Sequence, residues 1–299
     1  MPRANANGTE IEWDERGPAD GPAMLLIMGL GAQLTLWPDT LVDALATRGF
    51  RVVRFDNRDI GLSSKMEAGG APDLMRLGMA MMTGTKPEVA YTLSDMAADA
   101  VGLLDALGID RAHIVGASMG GMIAQLVAVE HPTRVLSLTS VMSSTGNPAL
   151  PRATAEANAV LMSRPSGTDT EALVAFGIKA AGVVGSRTHP ADRAVLETRV
   201  RRDLARSFYP HGFARQLAAI ISDGDRRARL KTVRAPTLVL HGLEDPLVPV
   251  EGGRDTAAAI PGARLVEIAG MGHDLPEPLI GQVATLIADH ADAATKAPA

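Results

Sequence analysis

The segment that most restricts the fold is Gly116-Ala-Ser-Met-Gly120, which stands between an apolar run at 112–115 and a helix-forming stretch that continues to Val129. A G-x-S-x-G sequence in this context predicts a sharp strand-to-helix turn that pushes the serine hydroxyl into the open. The pattern by itself is weak, because glycine supplies 30 of the 299 residues. The strand pattern before it and the helix pattern after it therefore carry the prediction.

Short apolar runs alternate with longer helical patterns along most of the chain. This alternation predicts an α/β fold, with a mostly parallel sheet covered by helices on both faces. The predicted strands are 11–15 at an edge of the sheet, 23–29, 51–56, 112–115, 135–141, 236–240 and 263–267. The predicted core helices are 41–47, 92–107, the stretch after the serine and 278–289, which a frayed tail at 291–299 follows.

Residues 146–210 interrupt this rhythm with three helical patterns, at 155–162, 171–181 and 191–204, separated by proline and glycine. We therefore expect residues 1–145 and 211–299 to form the α/β core. Residues 146–210 are predicted to be a helical cap that is inserted over the carboxyl edge of the sheet. A second segment, 65–91, is predicted to be irregular and is rich in methionine.

Composition excludes several kinds of site. Cysteine is absent, so disulfides, thiolate metal sites and a cysteine nucleophile are impossible. The net charge of −5 gives no electrostatic reason to expect a nucleic-acid partner. The chain shows no signal-peptide pattern and no apolar run of about 20 residues, so we expect a cytoplasmic protein without a membrane partner. Metal-binding histidine clusters, P-loops and dinucleotide fingerprints are also missing, so neither a metal nor a cofactor is predicted.

A serine hydroxyl is a poor nucleophile at neutral pH and needs a base, which an acid in turn orients. After a G-x-S-x-G turn, the acid and then the histidine follow along the chain. His273 lies in Gly270-Met-Gly-His-Asp-Leu-Pro276, a glycine-rich loop between the last strand and the last helix. It is the predicted base for Ser118, whereas His241 ends a strand and precedes the acid candidates.

The acid is expected in His241-Gly-Leu-Glu-Asp-Pro-Leu-Val-Pro249, directly after a predicted strand. Asp245 is favoured because Pro246 holds it in the turn, and its neighbour Glu244 stays open as the alternative. Asp274, beside the predicted base, is expected to cap the final helix instead. The predicted catalytic residues are therefore Ser118, Asp245 and His273.

Acyl transfer also needs two N–H donors for the developing oxyanion, each worth about 10²–10³ in rate. One is expected to be the backbone amide of Met119, the residue after the nucleophile. The other should come from the loop after an early strand, Met28-Gly-Leu-Gly31. The backbone N–H of Leu30 is the candidate in that loop.

Four motifs, in the same order along the chain, resemble those of the α/β-hydrolase superfamily. They are the loop Phe55-Asp-Asn-Arg-Asp-Ile-Gly-Leu-Ser63, the G-A-S-M-G-G turn, H-G-L-E-D-P-L-V-P and G-M-G-H. Within that superfamily, M-G-L-G, W-P, D-N-R-D and G-M-G-H are most similar to small bacterial carboxylesterases and aclacinomycin methylesterase-like proteins. The chain departs from the family at Met28, where a histidine usually precedes the glycine, so the shape and polarity of the oxyanion loop need not follow the family pattern.

The resemblance implies an α/β-hydrolase fold with eight mainly parallel strands and a helical cap at 146–210. Residues of the cap and of the methionine-rich segment 65–91 would then line an acyl or alcohol pocket. Met75, Met79 and Phe176 are the predicted substrate-binding residues. Methionine adapts its shape readily, which suits a permissive apolar pocket.

These observations predict a hydrolase of small to medium apolar carboxylic esters that acts through an acyl-enzyme. Perhydrolysis, acyl transfer and carbon–carbon bond hydrolysis would use the same three residues and stay open as alternatives. A non-enzymatic ligand-binding protein on this fold is the alternative from a different class. The expected partner is a small-molecule ester, and the expected assembly is a monomer or a homodimer.

Overall fold

A computed structural model of the chain describes residues 2–83, 85, 87–163 and 165–296, without the side chains at 74, 81 and 82. Within these residues, eight strands form one sheet in the order β1-β2-β4-β3-β5-β6-β7-β8. Only the β1–β2 and β2–β4 pairs are antiparallel, and the other pairs are parallel. The strands are β1 (Arg3–Ala6), β2 (Thr9–Arg16), β3 (Ala23–Ile27), β4 (Arg51–Phe55), β5 (Ala112–Ala117), β6 (Val135–Val141), β7 (Thr237–Gly242) and β8 (Arg264–Ile268). The mostly parallel sheet predicted from the alternating pattern is confirmed, and so is the number of eight strands that the family resemblance implies.

Helices cover both faces of the sheet. They are α1 (Asp39–Thr47), α2 (Leu74–Thr83), α3 (Leu93–Ala106), α4 (Met119–Glu130), α5 (Ala155–Met162), α6 (Thr170–Val184), α7 (Arg193–Arg206), α8 (Pro210–Asp223), α9 (Arg227–Leu230), α10 (Glu251–Ala259) and α11 (Ile280–Lys296). In β3, Leu25 and Ile27 join the hydrophobic cluster under α3 and α4, whereas Met24 and Leu26 join the cluster under α1 and α11. Because both faces are buried, the strand is apolar throughout instead of alternating with polar residues.

The structure corrects the sequence prediction in three places. The strand predicted at 11–15 is not at the edge, because the four-residue strand β1 pairs with it there. The segment 65–91, predicted to be irregular, contains helix α2. The last helix continues to Lys296 through the region predicted to fray, because Ala291 packs in the core at 1% exposure. The end of that predicted tail, 297–299, lies outside the described residues.

Between β6 and β7 the described residues form the five helices α5 to α9 and no strand. The helices predicted at 155–162, 171–181 and 191–204 correspond to α5, α6 and α7. Each begins at a side chain that accepts a hydrogen bond from its first turn, which is a typical N-cap: Thr154, Asp169 and Asp192. Helix α8 follows and returns the chain to the core, where Arg215 forms a buried ion pair with Asp59.

A histidine buried in the sheet makes the stability of this fold depend on pH. His113 on β5 lies 2.8 Å from the hydroxyl of Ser137 on β6, and its ring meets the edge of Phe50. Burial, reinforced by the charges of His290 and Arg111, lowers the pKa of His113 to about 4. The folded chain therefore holds this ring neutral at a pH where the unfolded chain would protonate it.

We expect the free energy of unfolding to fall as the pH drops from about 6.5 towards 4, with His113 contributing up to about 3 kcal/mol of the loss. Urea unfolding of the wild type and of His113→Gln at pH 7.5, 6.0 and 5.0 measures this contribution. The variant should be less stable at pH 7.5 but should lose less stability on acidification. His211→Gln at the protein surface is the control, and an equal change of slope in both variants would contradict the assignment.

Candidate active site

Ser118 occupies a strained turn between β5 and α4. Its backbone angles are φ 56° and ψ −122°, a conformation that costs a non-glycine residue about 1–3 kcal/mol. The two glycines of the motif have no room for a side chain. A Cβ on Gly116 would overlap the carbonyl oxygen of Gly120, and one on Gly120 would overlap the carbonyl oxygen of Ile27. The turn thus brings α4 directly onto the sheet and leaves the Ser118 side chain at its carboxyl edge.

His273 and Asp245 extend from this serine in a single hydrogen-bonded chain. The distance from Ser118 Oγ to His273 Nε2 is 3.0 Å, and from His273 Nδ1 to Asp245 Oδ2 it is 2.7 Å. Because a carboxylate only accepts, Nδ1 carries the ring proton and Nε2 is free to accept the proton of the serine hydroxyl. The structure therefore brings the three predicted residues together in the order that general-base catalysis requires.

Asp245 is held rigidly beneath the histidine. Its side chain is fully buried, and its second oxygen accepts hydrogen bonds from the backbone N–H groups of Leu247 at 2.9 Å and Val248 at 2.8 Å. These bonds hold the carboxylate plane and leave Oδ2 directed at the imidazole. Glu244, the alternative acid, instead accepts hydrogen bonds from the backbone and hydroxyl of Thr188.

A second histidine packs beside this acid. His241 Nε2 donates to the carbonyl of Val248 at 2.7 Å and lies 3.6 Å from Asp245 Oδ2. Its ring is completely buried, and burial lowers its pKa so that it stays neutral. The ring supports the turn that carries the acid, and no hydrogen bond joins it to Ser118 in the described structure.

The loop after β3 passes next to the serine. A Cβ placed on Gly29 would lie 3.1 Å from Ser118 Cβ and 3.6 Å from Ser118 Oγ. Leu30 lies in this loop, and Met119 is the first residue of α4. Among the described residues, neither backbone N–H donates a hydrogen bond to a protein acceptor. Both donors are therefore free of a protein acceptor, and their role in binding an oxyanion stays a prediction.

Buried amides that sequence reasoning missed hold this loop in place. Gln216 on α8 is fully buried, accepts a hydrogen bond from Gly31 N at 2.9 Å and donates to the carbonyl of Arg58 at 3.0 Å. On the other side, Asn57 donates to the carbonyl of Met28 at 2.9 Å. The sequence carries no signal for Gln216, because it follows Gly31 by 185 residues and lies in an ordinary amphipathic helix.

The loop after β4 connects the core to the helices that precede β7. Asp56 accepts hydrogen bonds from Leu34 N at 2.7 Å and Leu62 N at 2.8 Å, and Arg206 on α7 pairs with it at 2.6 Å. Asp59 has a left-handed φ of 73° and binds Arg215 through both oxygens at 2.8 Å. Burial alone would raise the pKa of Asp59, but the hydrogen bonds from Arg215 and from a backbone N–H outweigh it and keep the pKa low.

The predicted substrate-binding side chains lie farther out. Met75 and Met79 on α2 are 81% and 64% exposed, and Phe176 on α6 is half-buried. Their contact with a substrate stays a prediction. Buried methionines that the sequence analysis did not select belong to the hydrophobic cluster that also contains Trp37: Met28, Met142 and Met271.

Asp274 has a different role from the predicted one. It does not cap the last helix, which begins at Ile280. Its carboxylate binds the backbone N–H and the hydroxyl of Ser186, in the segment between α6 and α7. The loop that carries His273 is therefore joined directly to the helices inserted between β6 and β7.

Known proteins are similar to this chain in sequence and in fold. The chain is 30% identical to rhodomycin D methylesterase DauP of Streptomyces sp. (strain C5) over 93% of both chains. It is 32% identical to the putative carbamate hydrolase RutD of Variovorax paradoxus (strain S110) over 80% of each. Among solved structures, the enol-lactonase from Burkholderia xenovorans LB400 superimposes with a TM-score of 0.73 at 25% identity, covering 97% of this chain and 100% of that one.

A family profile agrees with these similarities. The profile described as alpha/beta hydrolase fold matches residues 22–277. This match includes β3 to β8, the strained turn at Ser118, and the loops that carry Asp245 and His273. The family pattern therefore spans most of the chain and all three residues of the hydrogen-bonded chain. This protein belongs to the alpha/beta hydrolase fold family.

Proposed function

We propose that this protein is a serine esterase that hydrolyses small to medium apolar carboxylic esters. The observation that carries the proposal is the continuous chain from Ser118 Oγ through His273 to the buried carboxylate of Asp245, with distances of 3.0 and 2.7 Å. A serine in a strained turn, with a base and an orienting acid in register, is the arrangement that acyl transfer needs. The named methylesterase activity of a relative that matches 93% of this chain supports an ester as the substrate.

The first half of the reaction forms an acyl-enzyme. His273 Nε2 takes the hydroxyl proton of Ser118 while Oγ attacks the ester carbonyl carbon. The carbonyl oxygen becomes an oxyanion, which the N–H groups of Leu30 and Met119 stabilise. The C–O bond to the alcohol then breaks, and the alcohol leaves with the proton that His273 returns. Asp245 holds the imidazole in the reactive tautomer and stabilises its protonated form.

The second half of the reaction regenerates the serine. A water molecule gives a proton to His273 Nε2 and attacks the acyl carbonyl, so that the same two N–H groups again face an oxyanion. The bond to Ser118 Oγ breaks, Oγ recovers its proton from His273, and the carboxylic acid leaves. Every proton passes through one ring nitrogen, so no further titratable side chain is required for turnover.

We also propose that residues 146–210 act as a cap over this site. The support is that the end of α7 contacts the chain two residues after the oxyanion loop: Gln33 donates to the backbone carbonyls of Asp203 at 2.7 Å and Ser207 at 3.0 Å. A cap that is hydrogen-bonded this close to the site leaves little room for large substrates. We therefore expect small and medium esters to be favoured over emulsified long-chain lipids. No helix among the described residues has the length and apolar character that crossing a membrane requires.

The first test compares the wild type with Ser118→Ala on p-nitrophenyl acetate, butyrate and octanoate. We expect kcat/KM to fall by about 10⁴-fold or more, because no other group can form the acyl-enzyme. The wild type should prefer the shorter esters and should hydrolyse a long-chain triglyceride emulsion more slowly. Ser222→Ala removes a buried hydroxyl that has no hydrogen-bond partner in the described structure, and it should match the wild type. Equal activity in Ser118→Ala and the wild type would rule out this serine as the nucleophile.

A second test concerns the acid. Asp245→Asn keeps the shape of the side chain but can present an amide N–H to His273, which favours the wrong tautomer of the ring. We expect kcat to fall by about 10⁴-fold with a small change in KM. The matched change Asp110→Asn, on the protein surface, should have no effect. A loss of less than tenfold in Asp245→Asn would show that the carboxylate does not orient the base.

A further inference from the structure

The segment 184–189 begins at the last residue of α6 and leads towards α7. This segment, which we call the strap, lies directly on the loop that carries His273. Three consecutive residues of that loop bind it. The N–H of Gly272 donates to Ser186 Oγ at 2.8 Å, and the N–H of His273 donates to the carbonyl of Val184 at 2.8 Å. The carboxylate of Asp274 accepts from Ser186 N at 3.0 Å and from the Ser186 hydroxyl. The strap therefore holds the backbone of the proposed base on both sides.

The loop and the strap approach so closely that side chains do not fit between their backbones. A Cβ on Gly272 would lie 2.7 Å from the carbonyl carbon of Gly185 and 2.7 Å from the backbone nitrogen of Ser186. A Cβ on Gly270, where φ is 75°, would lie 2.9 Å from His189 Nε2. Gly272 is therefore required by the close approach of the strap backbone, whereas Gly270 is favoured by its left-handed φ and meets only side chains of the strap.

Ser186 is central to this contact. It is 3% exposed, and its single hydroxyl accepts from Gly272 N while it donates to Asp274. Loss of the hydroxyl would leave a buried N–H without its acceptor and would remove one of two donors to the carboxylate. Each of these groups is one residue away from His273, so their displacement would move the imidazole.

The strap also contacts the loop that carries the acid. The backbone and hydroxyl of Thr188 donate to the carboxylate of Glu244, the residue before Asp245. The N–H of Glu244 in turn donates to the carbonyl of Met271, at 3.0 Å. One short segment thus joins the two loops whose relative position sets the distance between His273 and Asp245.

We infer that Ser186 is a positioning residue for the proposed reaction, acting through the strap to hold His273 between Ser118 and Asp245. This inference rests on the proposed function. A catalytic group displaced by about 1 Å can lose about 10²-fold in rate although substrate binding is unchanged. The helices inserted between β6 and β7 therefore help to assemble the catalytic residues in addition to covering them.

The kinetic test uses Ser186→Ala, Ser186→Thr and the control Ser222→Ala on p-nitrophenyl butyrate. Each rate is normalised by titration of reactive serine with a fluorophosphonate, so that a smaller folded fraction does not count as a slower enzyme. We expect Ser186→Ala to lower kcat by about 10–100-fold with KM within about twofold, because positioning acts on the transition state. Ser186→Thr keeps the hydroxyl, so its kcat should be at least about tenfold higher than that of Ser186→Ala.

A second kinetic measurement tests whether Ser186 acts through Asp274. The double variant Ser186→Ala/Asp274→Ala should be no slower than the slower of the two single variants, because both changes break the same contact. Multiplied losses in the double variant would contradict this route. An unchanged kcat in Ser186→Ala, or a loss confined to KM, would overturn the inference.

Hydrogen exchange tests the strap without reference to catalysis. The amides of Gly272 and His273 donate to the strap, so a peptide over 269–276 should exchange slowly in the wild type. Ser186→Ala should accelerate its exchange at least about tenfold, while a peptide from the core of α4 and the Ser222→Ala control stay unchanged. Equal exchange in Ser186→Ala and the wild type would refute the role of Ser186 in holding this loop.

Failure of the proposed function would look different. A wild type that neither cleaves esters nor reacts with the fluorophosphonate would contradict the proposed function, and the exchange measurement alone would then decide whether Ser186 holds the loop.

Discussion

The strained turn at Ser118 is the constraint on which the rest of the site depends. A left-handed backbone at a serine persists only where the surrounding packing overcomes its cost. Here β5 lies between β3 and β6, and α4 is pressed onto the sheet through Gly116 and Gly120. The turn determines where the hydroxyl lies, and the loops after β3, β7 and β8 must then meet it. A rigid parallel sheet makes this possible, because the carboxyl ends of its strands lie along one edge.

Polar contacts between segments that are distant in the sequence hold the loops that the sheet brings to one edge. Gln216 binds the oxyanion loop, Arg206 binds Asp56 at the end of β4, and Ser186 binds the loop of the proposed base. All three residues lie between β6 and β7, with Arg206 on α7, Gln216 on α8 and Ser186 in the strap between α6 and α7. These helices therefore take part in the same network of hydrogen bonds as the site. Such a network holds a reactive geometry only when each buried donor and acceptor has a partner, and the contacts of Gln216 and Ser186 meet this condition.

Much of the core could be predicted from sequence, because its signals are local. Both faces of β3 are buried, so its apolar run is continuous and is easily recognised. Thr92 caps α3 through a reciprocal bond with Asp95 only three residues away. The prediction failed where the signal was short or depended on distant packing. Strand β1 has four residues and is recognisable only through its pairing with β2, and the end of α11 is helical because Ala291 reaches the core.

The sequence by itself determined the order of the strands from β2 to β8, the sharp turn at Ser118, and the identity of Ser118, Asp245 and His273 as the candidate triad. It could do so because each lies in a short motif whose residues act on their immediate neighbours, such as the glycines around the serine and Pro246 after the acid. Only the tertiary structure decided which groups hold these residues. In the folded chain Asp274 binds Ser186 and does not cap the last helix, and Gln216 binds the oxyanion loop. Met75 and Met79 are exposed at the surface. The contacts of Asp274 and Gln216 join residues 88 and 185 positions apart, and no local pattern encodes them because they form only when separate segments pack at the same sheet edge.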